Sequence, residues 1–290
     1  MKVVRANSRQ AKGYDMHCSL NVAIAAVQFA AQPLDPIGNL LRISASVADA
    51  HARGARLVVL PELVSTGYCE HVDLHLLAEG LDGATVQTFT TLSRRYGVYL
   101  AAGFVEYHEG DVYNSLAFTT PRGEVSIYRK RHLIFWEHYY FRCGREPLIV
   151  ETELGRIGFA ICADMMYQQV WAGYRDKIDI AVVSAAWPKA TKQTKGRVGW
   201  TLSPSDELSG SIPTRIAQEL RVPVVFSNQS GPCEVRIPMM GPARPAEFSG
   251  RSAIYEHTGT RVSKELDGEG IAMAKVQVPK EYASCATLSG

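Results

Sequence analysis

The sequence predicts an α/β fold in which helices cover the outer faces of mixed β-sheets. Three observations carry this. Short runs such as Asn21-Val-Ala-Ile-Ala-Ala-Val-Gln-Phe29 and Arg56-Leu-Val-Val-Leu60 are apolar at nearly every position. Strands covered on both faces read this way, because neither set of alternating side chains meets water. The early runs alternate with stretches of helical period, whereas the later ones follow one another across short turns.

Taken in order, the first strand spans 21–29 and is stopped by Pro33 and Pro36. A helix over 35–53 follows, since Ile37, Leu40, Leu41, Val47, Ala48 and Ala52 recur at roughly helical period and Gly54 can end it. The second strand, 56–60, closes with Pro61-Glu62, and Gly67, Gly80 and Gly83 mark 65–83 as a loop. A helix over 84–96 ends at Gly97, followed by a strand over 98–104. Strands 112–119 and 124–128 form a hairpin around Pro121-Arg-Gly123. An aromatic-rich loop then leads to the apolar run that ends at Cys162. Helix 167–175, strand 178–185, a polar surface loop over 189–209, helix 212–220 and strand 222–227 come next. Four prolines and two glycines make 231–247 a loop, and strands near 252–256 and 271–278 finish the fold. Residues 1–20 read as an N-terminal extension, 21–278 as one undivided domain and 279–290 as a tail.

Composition narrows the function. The chain has 290 residues, 46% hydrophobic, enough for a large core. Its 31 basic and 29 acidic residues leave a net charge of +2 and no long one-signed run, which argues against a nucleic-acid or membrane-surface partner. No apolar stretch approaches the ~18 residues of a membrane span, and the basic N-terminus lacks the apolar stretch of a secretory signal. Six cysteines without a CxxC pair point to a reducing cytoplasm. No glycine-rich phosphate loop is present, and no cofactor is called for. His71 and His75 have the i, i+4 spacing of a zinc pair but lack a second pair of ligands, so no metal is expected.

The stretch that points to chemistry is Arg156-Ile-Gly-Phe-Ala-Ile-Cys162-Ala-Asp-Met-Met-Tyr167. A buried strand ends abruptly at a thiol, and a polar, helix-opening segment follows. Such a turn holds a nucleophile rigidly with its side chain exposed and frees the Ala163 N–H to meet a developing oxyanion. Glu62 and Lys130 stand in the same architectural position, each directly after an apolar strand. Strand ends on one sheet edge lie near each other, so a base, a cation and a thiol are brought within reach.

These residues lie in motifs that resemble the nitrilase, or carbon–nitrogen hydrolase, superfamily. The motifs are Leu57-Val-Val-Leu-Pro-Glu62 with Gly67-Tyr68; Tyr128-Arg-Lys130-Arg-His-Leu133; Glu137-His-Tyr-Tyr-Phe141 with Gly144; and Gly158-Phe-Ala-Ile-Cys162-Ala-Asp164. Ser184-Ala-Ala-Trp-Pro188, the run from Arg215 to Asn228, and Phe248-Ser-Gly-Arg-Ser252 follow in the same order. The resemblance implies a four-layer α-β-β-α sandwich with two mixed sheets, and a Cys-Glu-Lys triad plus a second glutamate. Cys162 would be the nucleophile, Glu62 the general base and acid, and Lys130 with the Ala163 N–H the oxyanion partner. Glu137 would orient Lys130 and the substrate nitrogen. It also implies a homodimer or larger homo-oligomer.

Departures from the family pattern bear on the substrate. Branches that cleave N-carbamoyl amino acids commonly carry an arginine after the Cys-x-Asp, where this chain has Met165 and Met166; the nitrile-cleaving branch typically has Cys-Trp-Glu. The expected substrate is therefore a small neutral linear amide, contacted by Met165, Met166 and the aromatics Tyr68, Trp136, Tyr139 and Trp187. Carbamoyl or nitrile cleavage, acyl transfer to an amine, and a non-catalytic binding protein are the alternatives.

Overall fold

The computed structural model describes residues 18–189, 205–235 and 244–280. The expected N-terminal arm through residue 17, most of the 189–209 loop, the stretch 236–243 and the tail from 281 lie outside the described residues. The strands are β1 (Cys18–Gln28), β2 (Leu57–Val59), β3 (Tyr99–His108), β4 (Asp111–Thr119), β5 (Val125–Arg129), β6 (Ile149–Thr152) and β7 (Gly155–Ile161). They continue as β8 (Ile180–Ala185), β9 (Pro188–Lys189), β10 (Val224–Asn228), β11 (Pro232–Val235), β12 (Arg244–Phe248), β13 (Ala253–Tyr255) and β14 (Gly270–Lys280). The helices are α1 (Pro36–Ala52), α2 (Ala84–Tyr96), α3 (Glu137–Tyr140), α4 (Gln168–Ala172) and α5 (Ser205–Leu220).

Two large mixed sheets face each other. The first has the order β14-β1-β2-β3-β4-β5 and the second β13-β10-β8-β7-β6. In each, two parallel pairings at the centre are flanked by antiparallel neighbours. The near-continuous apolar runs resolve into two faces at the period of a strand. On β1, Val22, Ile24 and Ala26 enter the core between the sheets, while Ala25 and Val27 pack outward with Ile43 and Val47 of α1 and Phe89 of α2. Helices α4 and α5 contribute Val170, Trp171, Ile212 and Ile216 on the side of the second sheet. The architecture is the four-layer α-β-β-α sandwich. Each fully buried Val, Leu, Ile or Phe stabilises it by roughly 1.5–3 kcal/mol.

Local signals set the helix ends. Pro36, read as a breaker, is the first residue of α1, and Asp35 before it caps the helix by accepting from the Gly38 N–H at 2.9 Å. Gly97 ends α2 in the left-handed region at φ 63°. Several elements differ from expectation: β1 begins at Cys18, inside the expected extension, and α3 lies in the expected aromatic loop. Helix α5 begins at Ser205 rather than 212 and carries Pro213 inside it. A proline removes one internal hydrogen bond, which imitates a helix start in sequence. The expected loop over 231–247 contains β11 and β12, which pair with each other and with β9 in a small ribbon. Its prolines sit at positions a two- or three-stranded ribbon tolerates, because few of its N–H groups are needed by a neighbour. The edge strand β6 lies in the stretch read as loop before Cys162. Among the described residues no helix is long and apolar enough to cross a membrane.

One close approach in the first sheet positions the segment that carries Glu62. A Cβ on Gly103 of β3 would lie 2.3 Å from the Leu63 nitrogen and 2.8 Å from the Glu62 carbonyl carbon. Gly103 therefore lets the Pro61-Glu62-Leu63 segment cross flat against β3. Gly103→Ala is expected to destabilise the protein by about 1–3 kcal/mol through overpacking, read by urea unfolding. Unchanged stability would mean that the segment shifts freely.

Candidate active site

Three strand exits meet, but not on one sheet edge as the sequence implied. Glu62 follows β2 and Lys130 follows β5, both in the first sheet, while Cys162 follows β7 in the second. The site lies on the seam between the sheets. Hydroxyls and amides close that seam. Ser184 Oγ of β8 donates to the Leu60 carbonyl at 2.7 Å, and Ser227 Oγ of β10 to the Val27 carbonyl at 2.6 Å. Gln229 Nε2 donates to the Glu62 carbonyl at 2.8 Å.

The charged cluster is fully enclosed. Glu62, Lys130 and Glu137 are each at most 1% exposed. Lys130 Nζ donates to Glu62 Oε1 at 2.6 Å and to Glu137 Oε1 at 2.5 Å. The outer carboxylate oxygens are also met: Glu62 Oε2 accepts from the Ala186 N–H and Glu137 Oε2 from the Ile134 N–H, both at 2.8 Å. Burial opposes the charge on Lys130, but Glu137 and Glu62 outweigh it and hold the ammonium above the ordinary lysine range. Burial pushes the Glu137 carboxyl up to about 7; Lys130 pulls it down and Glu62 pushes it up. One ammonium cannot by itself satisfy both carboxylate charges.

Cys162 opens a 3₁₀ turn over Cys162–Met166. Its φ is +46°, a costly conformation for a residue with a side chain. Leu63, next to Glu62, and Phe135, two residues before Glu137, share it at +45° and +47°. The thiol is only 1% exposed, where an exposed one was expected, because the two sheets close over it. Burial raises the thiol well above its usual pKa, and Glu62 adds to this; Lys130 and the Ala186 N–H pull it back. Cys162 therefore rests as a thiol and needs a base to ionise it. Ala163 is the second residue of the turn, where N–H groups have no partner within the helix.

Asp164 clamps this turn to the opposite sheet. Fully buried, it accepts from Tyr128 Oη of β5 at 2.8 Å, from the N–H groups of His132 at 2.8 Å and Arg131 at 3.2 Å, and from the Ile161 N–H at 3.2 Å. His132 Nδ1 lies 2.8 Å from the same carboxylate, and its ring stacks on Tyr167 at 3.7 Å. The segments before and after Lys130 are thus tied to the segment after Cys162.

The remaining expected residues divide. Tyr68 and Trp136 join the cluster: their rings are 4.9 Å apart and Lys130 Nζ is 5.9 Å from the Tyr68 ring, while burial, with the nearby Glu137 and Glu62 charges, holds the Tyr68 phenol above its ordinary range. Tyr68 also lines a cavity of about 500 Å³ with Leu34, Cys69, Glu70 and Phe248. Trp187 is buried, and Asn228 pins its backbone by accepting from its N–H at 2.7 Å. Tyr139 is 75% exposed. The methionine pair splits: Met165 is fully buried in the core between the sheets, whereas Met166 is 39% exposed. Neighbours on a tight turn point apart, so both cannot line one pocket. His71 caps its own 3₁₀ turn by accepting from the Asp73 N–H at 3.2 Å, and His75 meets the Tyr140 ring edge at 5.3 Å.

Sequence reading missed Asn114. It sits on β4 at 1% exposure, and its Nδ2 donates to Glu62 Oε1 at 2.7 Å and to Glu137 Oε1 at 3.3 Å. Its Oδ1 has no hydrogen-bond partner among the described residues. An orphaned buried acceptor costs about 1–3 kcal/mol. The available signal was the one amide of β4, which stands beside Ser115 just before the apolar run Leu116-Ala-Phe118.

Tyr128→Phe is expected to cost about 1.5–3 kcal/mol, because it removes one donor from a buried carboxylate. Thermal unfolding measures it, and a loss below about 0.5 kcal/mol would mean the clamp does not depend on that hydroxyl.

Residues 23–283 match the model of the carbon–nitrogen hydrolase family. A probable nitrilase of Schizosaccharomyces pombe is 28% identical over 254 residues, covering 85% of this chain and 84% of that protein. An (R)-stereoselective amidase of Pseudomonas is 35% identical over 142 residues, covering 49% of this chain and 52% of that protein, so that match spans about half of the relative's length. Among solved structures, a carbon–nitrogen hydrolase superfamily protein of Xanthomonas campestris superimposes with a TM-score of 0.72 at 24% identity, over 88% of this chain and 90% of that one. That likeness is one of fold. By the match over most of its length, the chain belongs to the carbon–nitrogen hydrolase family.

Proposed function

We propose that the protein hydrolyses the C–N bond of a small, neutral linear amide, giving a carboxylic acid and ammonia through a thioester on Cys162. One observation carries the reading: a dry ammonium, Lys130, is held between two carboxylates beside a buried thiol. Glu62 takes the proton from Cys162 as sulfur attacks the amide carbon. The negative charge that develops on the carbonyl oxygen is met by Lys130 Nζ and the Ala163 N–H. As the tetrahedral adduct collapses, the C–N bond breaks and Glu62 returns the proton to nitrogen, which leaves as ammonia. Glu62 next deprotonates a water that attacks the thioester. Carbon–sulfur cleavage then releases the acid and restores the thiol. Glu137 fixes Lys130 and orients the leaving nitrogen.

A neutral substrate is supported by the surroundings of the cluster. The Tyr68 ring stands over Lys130 with Trp136 packed against it, and Tyr68 also lines the cavity whose walls include Leu34 and Phe248 along with Glu70, His71 and Glu234. An amidase among the relatives points the same way.

The test is ammonia release from a panel of primary amides, N-carbamoyl amino acids and nitriles, with Cys162→Ala alongside. Release from neutral amides, lost by at least a thousandfold in the variant, is expected. Release from carbamoyl acids alone would overturn the substrate class and keep the thioester chemistry. Release undiminished in Cys162→Ala would sink the mechanism. The Glu137 carboxyl binds a proton as pH drops through about 7, which loosens its hold on Lys130 and the leaving nitrogen. For that reason kcat/KM is expected to fall on the acid side of that value. A rate independent of pH there would contradict the role of Glu137.

A further inference from the structure

We propose that Asn114 is a positioning residue of this site, a neutral donor that fixes the Glu62 and Glu137 carboxylates relative to each other and to Cys162. The inference rests on Glu62 serving as base to the thiol.

The geometry is a closed ring of two donors and two acceptors. Glu62 Oε1 and Glu137 Oε1 each accept from Lys130 Nζ and from Asn114 Nδ2. The amide orientation is fixed by this arrangement, since the flipped form would set an oxygen 2.7 Å from Glu62 Oε1. The orphaned Oδ1 shows that the donor end is the one the cluster uses. Asn114 is tied to Lys130 a second time, because its backbone carbonyl accepts from the Lys130 N–H at 2.9 Å. One residue of β4 thus sets both the height of the ammonium and the spacing of the carboxylates around it.

The need for such a donor follows from the charge count. Asn114 meets Glu62 after β2 and Glu137 on α3, and the ionisable groups acting on those two are Lys130 after β5, Cys162 after β7 and Tyr68. With both carboxylates ionised there are two negative charges and one positive. A second cation would compete for the base; a neutral N–H stabilises the anions without removing their basicity. Without it, Glu137, which burial already pushes up to about 7, takes up its proton at higher pH, and the Lys130 bridge that holds Glu62 toward the thiol is loosened there.

The experiment follows alkylation of Cys162 by iodoacetamide across pH in the full-length protein, read by mass spectrometry of the peptide that carries Cys162. Asn114→Leu and Asn114→Asp are compared with the natural protein. Asn114→Leu removes the donor at similar volume. Its alkylation is expected to be about tenfold slower at neutral pH, with the acid limb moved up by about one pH unit. In the assay for amide hydrolysis, kcat should fall about tenfold with KM changed by less than about twofold. Asn114→Asp keeps the size of the side chain but cannot donate once ionised, so its acid limb should move up further. If Asn114→Leu does not fold, Asn114→Asp carries the test. Variants that fold and show the natural pH profile would overturn the proposal and leave Asn114 a packing residue. A shifted alkylation profile in a protein that releases no ammonia from any amide would sink the substrate reading and leave this one standing.

Discussion

The enclosure of the Lys130 ammonium between two carboxylates is the constraint on which the rest of the site depends. Taking these ions out of water costs several kcal/mol each, and their attraction offsets that only when every remaining lone pair is met. One cation cannot serve four carboxylate oxygens. The surrounding structure supplies the missing donors, all neutral: the amide of Asn114 and the N–H groups of Ala186 and Ile134. Each comes from a different part of the chain. The cluster is therefore a product of the whole sandwich.

Its construction from two sheets has a further consequence. Glu62 and Lys130 ride on one sheet and the Cys162 thiol on the other, so the approach of the two sheets sets the distances between them. That approach is fixed by interdigitated apolar side chains such as Phe118 and Phe159, whose rings lie 5.1 Å apart. At the site it is fixed again by Asp164, which grips the Lys130 segment from the turn that carries Cys162. Left-handed backbone at Leu63, Phe135 and Cys162 is tolerated because this surrounding packing determines each turn. Strain, close approach at Gly103 and dry charge are concentrated in one place, as expected where geometry is held for chemistry.

Much of this could be read in advance. Glu62, Lys130 and Cys162 stood out because each ends an apolar strand, a position where a polar side chain must find either water or a partner. The strand limits near β1, β4 and β14 followed from composition alone. Asn114 did not stand out, since polar residues in a strand commonly mark its solvent-facing side, and only its burial and its bonds to Glu62 and Glu137 show that it faces the seam. Met165 and Met166 looked like a unit because they are adjacent; the turn sends one into the core and the other outward. The start of α5 was hidden by Pro213, and β11 and β12 by prolines that a small ribbon tolerates.

The sequence by itself determined the class of fold and the chemical types present: buried strands, their covering helices, and a thiol, two carboxylates and an ammonium in a recognisable order. These depend on local pattern, which the chain carries wherever it goes. Only the tertiary structure decided that the strand exits meet across two sheets, that the thiol is closed off from water, and that Asn114 joins the carboxylates. Those outcomes depend on which residues, far apart in the chain, share a face. That is fixed by sheet order and packing between layers, and no short stretch of sequence records it.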